Sequence, residues 1–410
     1  MMKVAALRAV DRWIGLPACV LLTWHRRLLS RRREHAPVRR ILVLKLAEQG
    51  STVLAADALA RAVELVGRDN VFFLVFDENR FILDAMGIIP AGNIITLNVR
   101  TLRTAIQSAL VAIRRLRALR VDATVDLEFF ARSNAAFAYL SGATRRVGLH
   151  SYAGEGPYRG NLLTHRLVFN PYLHTSELFR LMVDALEHPA GQFPAFPVRP
   201  PVLTPASIPY VPPAQDLDAV RNLVLARTGL QRLPPIVLLN PNASDLLPLR
   251  RWEPSRYVAL ARRLLAANEE LYVVLTGASG EAEEVGRIEA EVSSPRCVSV
   301  AGQTTMSQLL ALYSLARVLV TNDSGPAHFA TLTPVEVVTL FGPETPALFA
   351  ARTPRNHVLC AGLACSPCVS ALNNRASRCR DNVCMTAITV HEVFAATMLA
   401  YDGPSQTAPP

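Results

Sequence analysis

Residues 318–345 read VLVTNDSGPAHFATLTPVEVVTLFGPET, and this organising stretch decides the fold class. It opens with an apolar, β-branched run at 318–321, which is typical of a buried parallel strand. Turn and helix-capping residues follow at 322–326, and a second strand is predicted over 335–340. Strand, polar turn, helix and strand in this order predict a parallel α/β sheet, which binds ligands at the carboxyl ends of its strands. Taken alone, the turn is equally well read as an ordinary loop with a capping Asp323.

The composition indicates a folded protein with an unusual N-terminal charge. At 410 residues, the chain is long enough for two domains with large hydrophobic cores. Half of the residues are hydrophobic and 19% are charged, as in globular proteins. Residues 1–40 hold ten Lys or Arg against two acidic residues, a net +8 out of +10 for the whole chain. Basicity confined to one tail argues against a nucleic-acid-binding domain.

The basic tail contains an apolar run with Trp at both ends, WIGLPACVLLTW at residues 13–24. The run is shorter than the ~20 residues that a membrane-spanning helix needs. Arginine clusters follow it, which suits a segment lying in the interface of an anionic membrane leaflet. We therefore expect residues 1–40 to be a basic amphipathic membrane-surface segment. The alternative is a helix packed on the protein with solvated arginines.

Strands and helices alternate from Ile41 onward. In the first half of the chain, strands are predicted over 41–46, 71–76, 93–97, 123–127 and 146–149, and helices over 53–66, 102–119 and 134–140. This order predicts a doubly wound parallel sheet in a first domain, 41–193, whose helix at 102–119 has a basic outer face. Proline sustains neither a helix nor a central strand, so a proline-rich linker is predicted over 194–216.

A second α/β domain is predicted over 217–400, with a disordered tail over 401–410. Its strands are expected at 236–240, 271–276 and 298–300, ahead of the organising stretch, and its helices at 255–267 and 306–316. The strand at 318–321 would then lie inside this second sheet. The fold class predicted from the residues is α/β, with two doubly wound domains.

The motifs of the second domain resemble a known family. Asp-Ser-Gly-x-x-His after one apolar strand, with Phe-Gly-Pro after the next, resembles the nucleotide-sugar motif of glycosyltransferase family 9. That family contains the ADP-heptose:lipopolysaccharide heptosyltransferases. The resemblance implies the GT-B architecture, in which two Rossmann-like domains face each other across a cleft.

The resemblance also implies an activity and its partners. The expected reaction transfers a sugar with inversion, from ADP-heptose to a lipopolysaccharide-core or related glycolipid acceptor. The family needs no cofactor for catalysis, because backbone N–H groups and Arg take the place of a divalent cation. The expected location is cytoplasmic, peripheral on the inner face of the cytoplasmic membrane, without nucleic acid as a partner.

The resemblance places a donor site in the second domain. Arg250 stands where the family has a phosphate-contacting lysine, and Glu281 aligns with a glutamate that holds the ribose. The donor set implied is Asn242, Ser244, Arg250, Gly277, Glu281, Met306, Asp323, Ser324, Gly325 and His328. Structural alternatives stay open: Arg250 as a solvated residue at a helix entry, Glu281 as a first-turn acid and Met306 as a core residue.

The first loop departs from the family at its catalytic position. The family carries an Asp there, the proposed general base, and this chain has Ser51. A serine cannot act as a base without help, and Glu48 is the carboxylate close enough in sequence to substitute. Glu48 and Ser51 are therefore the predicted catalytic residues. Alternatively, Glu48 caps the helix or pairs with Lys45, and the protein is a non-catalytic nucleotide-sugar-binding or scaffold protein at the membrane surface.

Acceptor recognition is expected in the first domain. The predicted acceptor-binding residues are Lys45, Gly50, His165, His174 and Glu177. The segment around His165 and the His174-x-x-Glu177 pair resemble the acceptor side of some family members, although each His is equally open to a structural role. Lys45 ends a buried strand, from where it either binds phosphate or extends its amine to solvent.

Four cysteines in the second domain form a separate motif. Cys365, Cys368, Cys379 and Cys384 have the spacing C-x2-C-x10-C-x4-C in a loop rich in Pro, Asn and Arg. Four thiolates so spaced can hold a structural zinc ion. Disulfides and free thiols are the alternatives, and the reducing cytoplasm disfavours disulfides.

Overall fold

A computed structural model describes residues 4–29, 37–152, 154, 156–203, 209–243, 247–373 and 375–403, with backbone alone at 4–8 and 29. The predictions for Ser244 and for most of the tail at 401–410 lie outside these ranges. The chain forms two compact units, Met1–Ala206 with Ala371–Arg375, and Ser207–Ser370 with Ala376–Pro410. The division between them lies within the proline-rich stretch.

The first unit is built on a six-stranded parallel sheet in the order β3-β2-β1-β4-β5-β6. Its strands are β1 (Ile41–Leu44), β2 (Val71–Phe76), β3 (Ile94–Leu97), β4 (Ala123–Asp126), β5 (Arg145–Leu149) and β6 (His165–Leu167). All four residues of β1 are buried, as expected for a sheet covered on both faces. The strand order reverses between β1 and β4. Such a reversal is a switch point, and doubly wound sheets bind their ligands there.

Within the described ranges, eight α-helices belong to this unit. They are α1 (Val4–Trp13), α2 (Gly15–Leu29), α3 (Gln49–Val53), α4 (Ala56–Val66), α5 (Arg80–Met86), α6 (Leu102–Leu119), α7 (Arg132–Leu140) and α8 (Thr175–Asp184). Helix α6 has the predicted bounds, but its outer face differs from the prediction. Leu102, Ile106, Leu110 and Val111 are exposed on it beside Arg103 and Arg114, so the face is apolar as well as basic.

The N-terminal helices pack on α7. The backbone N–H of Ser133 donates to Oδ1 of Asp11 at 2.9 Å, and Cys19 joins a buried apolar cluster with Ala135 and Leu162. The packed helix offered as the alternative is therefore present. Its outer face keeps exposed apolar residues, among them Trp24. No helix within the described ranges is both long and apolar enough to cross a bilayer.

The second unit repeats the same sheet. Its strands are β7 (Ile236–Asn240), β8 (Tyr272–Leu275), β9 (Cys297–Ser299), β10 (Val318–Asn322), β11 (Glu336–Phe341) and β12 (Asn356–Cys360). All are parallel, in the order β12-β11-β10-β7-β8-β9. The organising stretch supplies the adjacent strands β10 and β11. The order reverses between β7 and β10, so the loops that follow these two strands border the second switch point.

The described part of the second unit contains eight α-helices. They are α9 (Ala214–Thr228), α10 (Pro254–Ala267), α11 (Ala282–Val292), α12 (Met306–Leu315), α13 (Gly325–Phe329), α14 (Pro346–Phe349), α15 (Val383–Thr386) and α16 (Val390–Asp402). Helix α9 starts inside the predicted linker, because Pro213 at its N-cap precedes a helix instead of preventing one. The main core of this unit is apolar and includes the fully buried Trp252 and Tyr257.

Candidate functional site

Asn322, the last residue of β10, connects the loops at the second switch point. Its Oδ1 accepts hydrogen bonds from the backbone N–H of Trp252 at 3.1 Å and from the hydroxyl of Tyr257 at 3.2 Å. Its Nδ2 donates to the carbonyl oxygen of Pro241 at 2.9 Å. This buried amide thereby fixes the loop after β7 beside the segment that carries Arg250. The sequence identified Asn322 as a turn residue and missed this role.

Arg250 and Asp323 form an ion pair at this switch point. The distance from Nη1 of Arg250 to Oδ2 of Asp323 is 3.6 Å, with 12% and 4% of the two side chains exposed. The backbone N–H of Asp323 donates to the carbonyl oxygen of Leu340 at 2.9 Å. Arg250 is thus neither solvated nor remote, and its guanidinium has the geometry that binds diphosphate oxygens. Its neighbour Arg251 instead donates two hydrogen bonds to the carbonyl oxygen of Ala243, at 2.9 and 3.1 Å.

A second group of predicted donor residues surrounds Glu281. The backbone N–H of Ala278 donates to Oε2 of Glu281 at 2.7 Å. Burial raises the pKa of Glu281, while that N–H, Arg251 and the Asn242 amide act to lower this pKa. A Cβ at Gly277 would lie 3.3 Å from the same Oε2, so this glycine keeps the approach to the carboxylate open. Asn242, Gly277 and Glu281 therefore come together as predicted. The carboxylate and amide oxygens among them can accept hydrogen bonds from hydroxyl groups.

The organising loop itself is more compact than the sequence indicates. Oγ of Ser324 donates to the carbonyl oxygen of Asn322 at 3.1 Å and makes no capping hydrogen bond to α13. Ser324 is the N-cap residue of α13 by position, but its hydroxyl points back along the chain and does not cap the helix. A Cβ at Gly325 would lie 2.9 Å from the ring of Phe329, which requires a glycine there. His328 is buried within the five-residue α13.

Met306 is the remaining predicted donor residue within the described ranges. It is the first residue of α12 and is half-buried. The N-cap Thr305 precedes it and accepts from the backbone N–H of Gln308 at 3.2 Å, which fixes the start of the helix. Met306 is thus neither a fully buried core residue nor a fully exposed one.

Glu48 lies at the first switch point, in the loop after β1. It is the N-cap of α3, and its φ of 62° and ψ of 79° are in the left-handed region. Non-glycine residues seldom adopt this conformation, and such backbone strain is concentrated at functional sites. Ser51, one residue beyond the buried Gly50, donates from Oγ to Oε2 of Glu48 at 3.2 Å. The two predicted catalytic residues are therefore in direct contact.

Arg375 completes this site and was missed by sequence reasoning. Its guanidinium forms an ion pair with the Glu48 carboxylate, and its Cζ lies 5.9 Å from the ring centroid of Phe129. The segment Ala371–Arg375 clusters with the first unit although its chain neighbours belong to the second. A separation of 327 residues divides Arg375 from Glu48, and no periodic pattern relates two positions so far apart.

Lys45 does not extend its amine to solvent, which is one of the two roles predicted for it. The side chain is fully buried, with Nζ 3.6 Å from Oε1 of Glu128 and 3.2 Å from the carbonyl oxygen of Ala47. It therefore neither extends to solvent nor pairs with Glu48, since Glu128 is its partner. Burial raises the pKa of Glu128 and the Glu48 charge raises it further, whereas Lys45 acts to lower it. The carboxylates of Glu48 and Glu128 thus share this switch point with Lys45 and Arg375.

His165 is a structural residue, contrary to its predicted acceptor-binding role. Its Nδ1 lies 2.8 Å from the hydroxyl oxygen of Thr164, and its Nε2 lies 2.9 Å from the carbonyl oxygen of His188. The ring is buried against Phe193, with centroids 5.2 Å apart. Burial lowers the pKa of His165 to about 4. Because both ring nitrogens are engaged inside the protein, the side chain is not placed to meet a sugar.

His174 and Glu177 begin helix α8 and act as its capping box. Nδ1 of the buried His174 accepts from the backbone N–H of Ser176 at 3.2 Å. Oε2 of Glu177 accepts in return from the backbone N–H of His174 at 3.3 Å. The His-x-x-Glu spacing therefore serves the N-terminus of a helix, which needs partners for its first N–H groups. The predicted acceptor-binding role is not what this geometry supports.

The cysteine motif does not form the predicted zinc site. The seven cysteines all lie within the described ranges and form no disulfide there, so the disulfide alternative is not realised. The charges of Cys368 and Cys379 add to burial in raising the pKa of Cys384, so each of these two thiols lies near Cys384, whereas Cys365 and Cys379 are exposed. Within the described ranges, no three or more His, Cys, Asp or Glu side chains are arranged to hold a metal ion.

The donor-side residues fall within a recognised family domain. The family model that matches is Glycosyltransferase family 9 (heptosyltransferase), over residues 209–377. That range includes the switch point between β7 and β10 and every predicted donor residue. Residues 209–377 match the glycosyltransferase family 9 model. The resemblance in the sequence motifs is thereby confirmed.

The chain also resembles characterised proteins in sequence. It is 31% identical, over 138 of its residues, to lipopolysaccharide heptosyltransferase 2 of Salmonella typhimurium. This match covers 33% of the chain and 39% of the relative, so the chain spans about two fifths of the length of the curated relative it matches.

Solved structures extend the likeness to the whole fold. The structure of Escherichia coli ADP-heptose LPS heptosyltransferase II has a TM-score of 0.64 at 19% identity, covering 88% of this chain and 98% of that one. Escherichia coli heptosyltransferase WaaC with ADP-2-deoxy-2-fluoro heptose has a TM-score of 0.57 at 16% identity, covering 86% and 97%. At these identities the likeness shows the fold. The predicted α/β class with two Rossmann-like domains of GT-B type is confirmed.

Proposed function

We propose that the protein is a glycosyltransferase that moves heptose from ADP-heptose to a lipopolysaccharide-core or related glycolipid acceptor, with inversion at the anomeric carbon. The observation that carries this proposal is the family 9 match over a Rossmann-like unit whose switch point holds Arg250, Asp323 and Glu281. The names of its relatives support heptose as the sugar, and the ADP-heptose analogue bound to one structural neighbour supports the donor.

The donor would be held by two groups of residues in the family 9 domain. Arg250, oriented by Asp323, would contact the diphosphate, and its charge would stabilise the ADP that leaves. Glu281, with Asn242 beside it, would accept hydrogen bonds from the ribose hydroxyls. In this proposal no cofactor takes part in catalysis, because the guanidinium supplies the positive charge.

Glu48 would act as the general base in place of the missing Asp. It would take the proton from an acceptor hydroxyl as that oxygen bonds to C1 of the donor sugar and the bond from C1 to the diphosphate oxygen breaks. Ser51 donates to one carboxylate oxygen of Glu48 and Arg375 pairs with the other. These two contacts would fix the direction of the carboxylate, so the serine would become a positioning residue.

The alternative, a non-catalytic nucleotide-sugar-binding or scaffold protein, is not favoured. The curated relatives matched by the chain are all named as heptosyltransferases. A carboxylate at Glu48, in contact with Ser51, also supplies what the substitution of Asp by Ser removed.

We also propose a cytoplasmic location, peripheral on the membrane. The N-terminal helices would hold the protein at the inner face of the cytoplasmic membrane, near a glycolipid acceptor. Trp13, Leu21, Trp24 and Leu28 are 65–80% exposed on these helices, and Arg12 and Arg27 are exposed among them. Aromatic and basic residues together suit the interface of an anionic leaflet.

The test is a calorimetric titration followed by a turnover assay. ADP and ADP-heptose should bind while UDP and GDP do not, and Asp323→Ala should abolish binding by releasing Arg250 from its partner. Glu48→Gln should leave ADP binding intact and lower kcat by about 10²–10⁴, the usual contribution of a general base. Adding Ser51→Asp to Glu48→Gln should restore part of kcat. Normal turnover by Glu48→Gln would rule out Glu48 as the base. If no nucleotide binds, the alternative of a non-catalytic scaffold protein is favoured instead.

A further inference from the structure

Helix α6 exposes an apolar face that the core of the first unit does not use. Leu102, Ile106, Leu110 and Val111 are each about half exposed, at 48–61%. The first three are spaced four residues apart, so they form one stripe along the helix surface. The opposite side of α6 is buried, with Ala112 and Leu116 in the core beside β3. The apolar stripe is therefore a second surface, separate from the one that folds the unit.

The charge of α6 complements an anionic surface. The helix contains four arginines and no acidic residue, and Arg103 and Arg114 are exposed at the two ends of the stripe. An apolar stripe bordered by arginines is the pattern of a helix that lies in the headgroup region of an anionic membrane. A face that binds another globular protein would usually be depleted of charge at its centre and richer in aromatic residues.

The position of α6 in the unit supports the same partner. Both α2 and α6 pack on α7, so two helices with exposed apolar residues are neighbours of one central helix. We infer that α6 is a second membrane-docking element, which binds an anionic lipid surface together with the N-terminal helices. The inference rests on the proposed peripheral attachment and deepens it. The surface that contacts the membrane would then include part of the first domain as well as the N-terminal segment.

The experiment measures binding of the full chain to phosphatidylcholine vesicles with and without 30 mol% phosphatidylglycerol, by co-sedimentation. Ile106→Glu/Leu110→Glu places two charges on the stripe without touching the core. The matched control is Val383→Glu/Leu399→Glu, which changes two exposed apolar residues of the second unit in the same way. The wild type and the control should bind the anionic vesicles equally. The α6 variant should bind at least about five-fold more weakly, as expected when apolar contacts are replaced by like charge.

Other outcomes separate this inference from the proposals on which it rests. If the α6 variant binds like the wild type while Leu21→Glu/Trp24→Glu does not, the N-terminal attachment stands and α6 is excluded. If the wild type binds neither vesicle, both membrane proposals fail, whereas ADP titration still decides the transferase activity. If the α6 variant changes only the molecular mass measured by light scattering, the stripe is an interface between copies of the chain and the inference is overturned.

Discussion

Arg375 is the residue whose removal should reveal most about Glu48. An adjacent cation favours the charged form of a carboxylate, so taking the guanidinium away makes the carboxylate hold its proton at higher pH. A protonated Glu48 cannot act as a base. In Arg375→Ala we therefore expect the acidic limb of the profile of kcat/KM against pH to move to higher pH by roughly one unit.

Arg375→Lys is the control for this prediction. It keeps a positive charge near Glu48 but loses the forked geometry, so its acidic limb should stay close to that of the wild type. A merely structural role for Arg375 would lower stability without moving the limb. If both variants give the wild-type profile at normal stability, Arg375 does not act through Glu48.

His165 should make the protein less stable in acid. Its pKa is about 4 in the folded state and near 6.5 when unfolded, so the unfolded chain binds the proton more tightly. The stability that the neutral ring contributes is complete above about pH 6.5 and is lost as the pH falls towards 4. The full shift corresponds to on the order of 3 kcal/mol in the free energy of unfolding. Urea denaturation at several pH values between 7 and 4 measures it.

His165→Gln removes the titration and should flatten this pH dependence, although the variant is expected to be less stable at pH 7. His391→Gln is the matched control, because His391 is exposed on α16 and its loss should leave the slope unchanged. Equal slopes in the wild type and His165→Gln would mean that other groups cause the acid sensitivity.

At the scale of elements, local sequence patterns predicted well those helices and strands that local interactions determine. Helix α6 has the predicted bounds because one apolar side repeats with the helical period. The edge strands β6 and β12 were missed because they are short and partly polar, HRL and NHVLC. Their place in the sheet comes from pairing with β5 and β11, which a local pattern does not contain.

The candidate site divides in the same way. Asn242, Gly277 and Glu281 were predicted together from the family resemblance, and they meet because they follow neighbouring strands whose carboxyl ends share one sheet edge. Arg375 and Glu128 were missed because their partners are distant in sequence. The roles of His165 and of the His174–Glu177 pair were misjudged, since residue type alone does not distinguish a buried or capping histidine from one that binds a ligand.

At the scale of the whole molecule, the chain has two cores, each on its own parallel sheet. The proposed donor site lies in the second unit alone. A ligand that binds only the folded state stabilises the unit that binds it, by about 2.7 kcal/mol at one hundred times Kd. We therefore expect scanning calorimetry to show two transitions, of which ADP raises the midpoint of one.

Two matched substitutions assign these transitions. Val43 in β1 and Val320 in β10 are buried valines in corresponding central strands of the two sheets. Val43→Ala should lower the transition that ADP leaves unchanged, and Val320→Ala should lower the one that ADP raises, each by opening a small cavity in one core. Asp323→Ala should abolish the shift caused by ADP. If ADP instead raised the transition lowered by Val43→Ala, the nucleotide would bind the first unit, and the donor site proposed between β7 and β10 would be wrong.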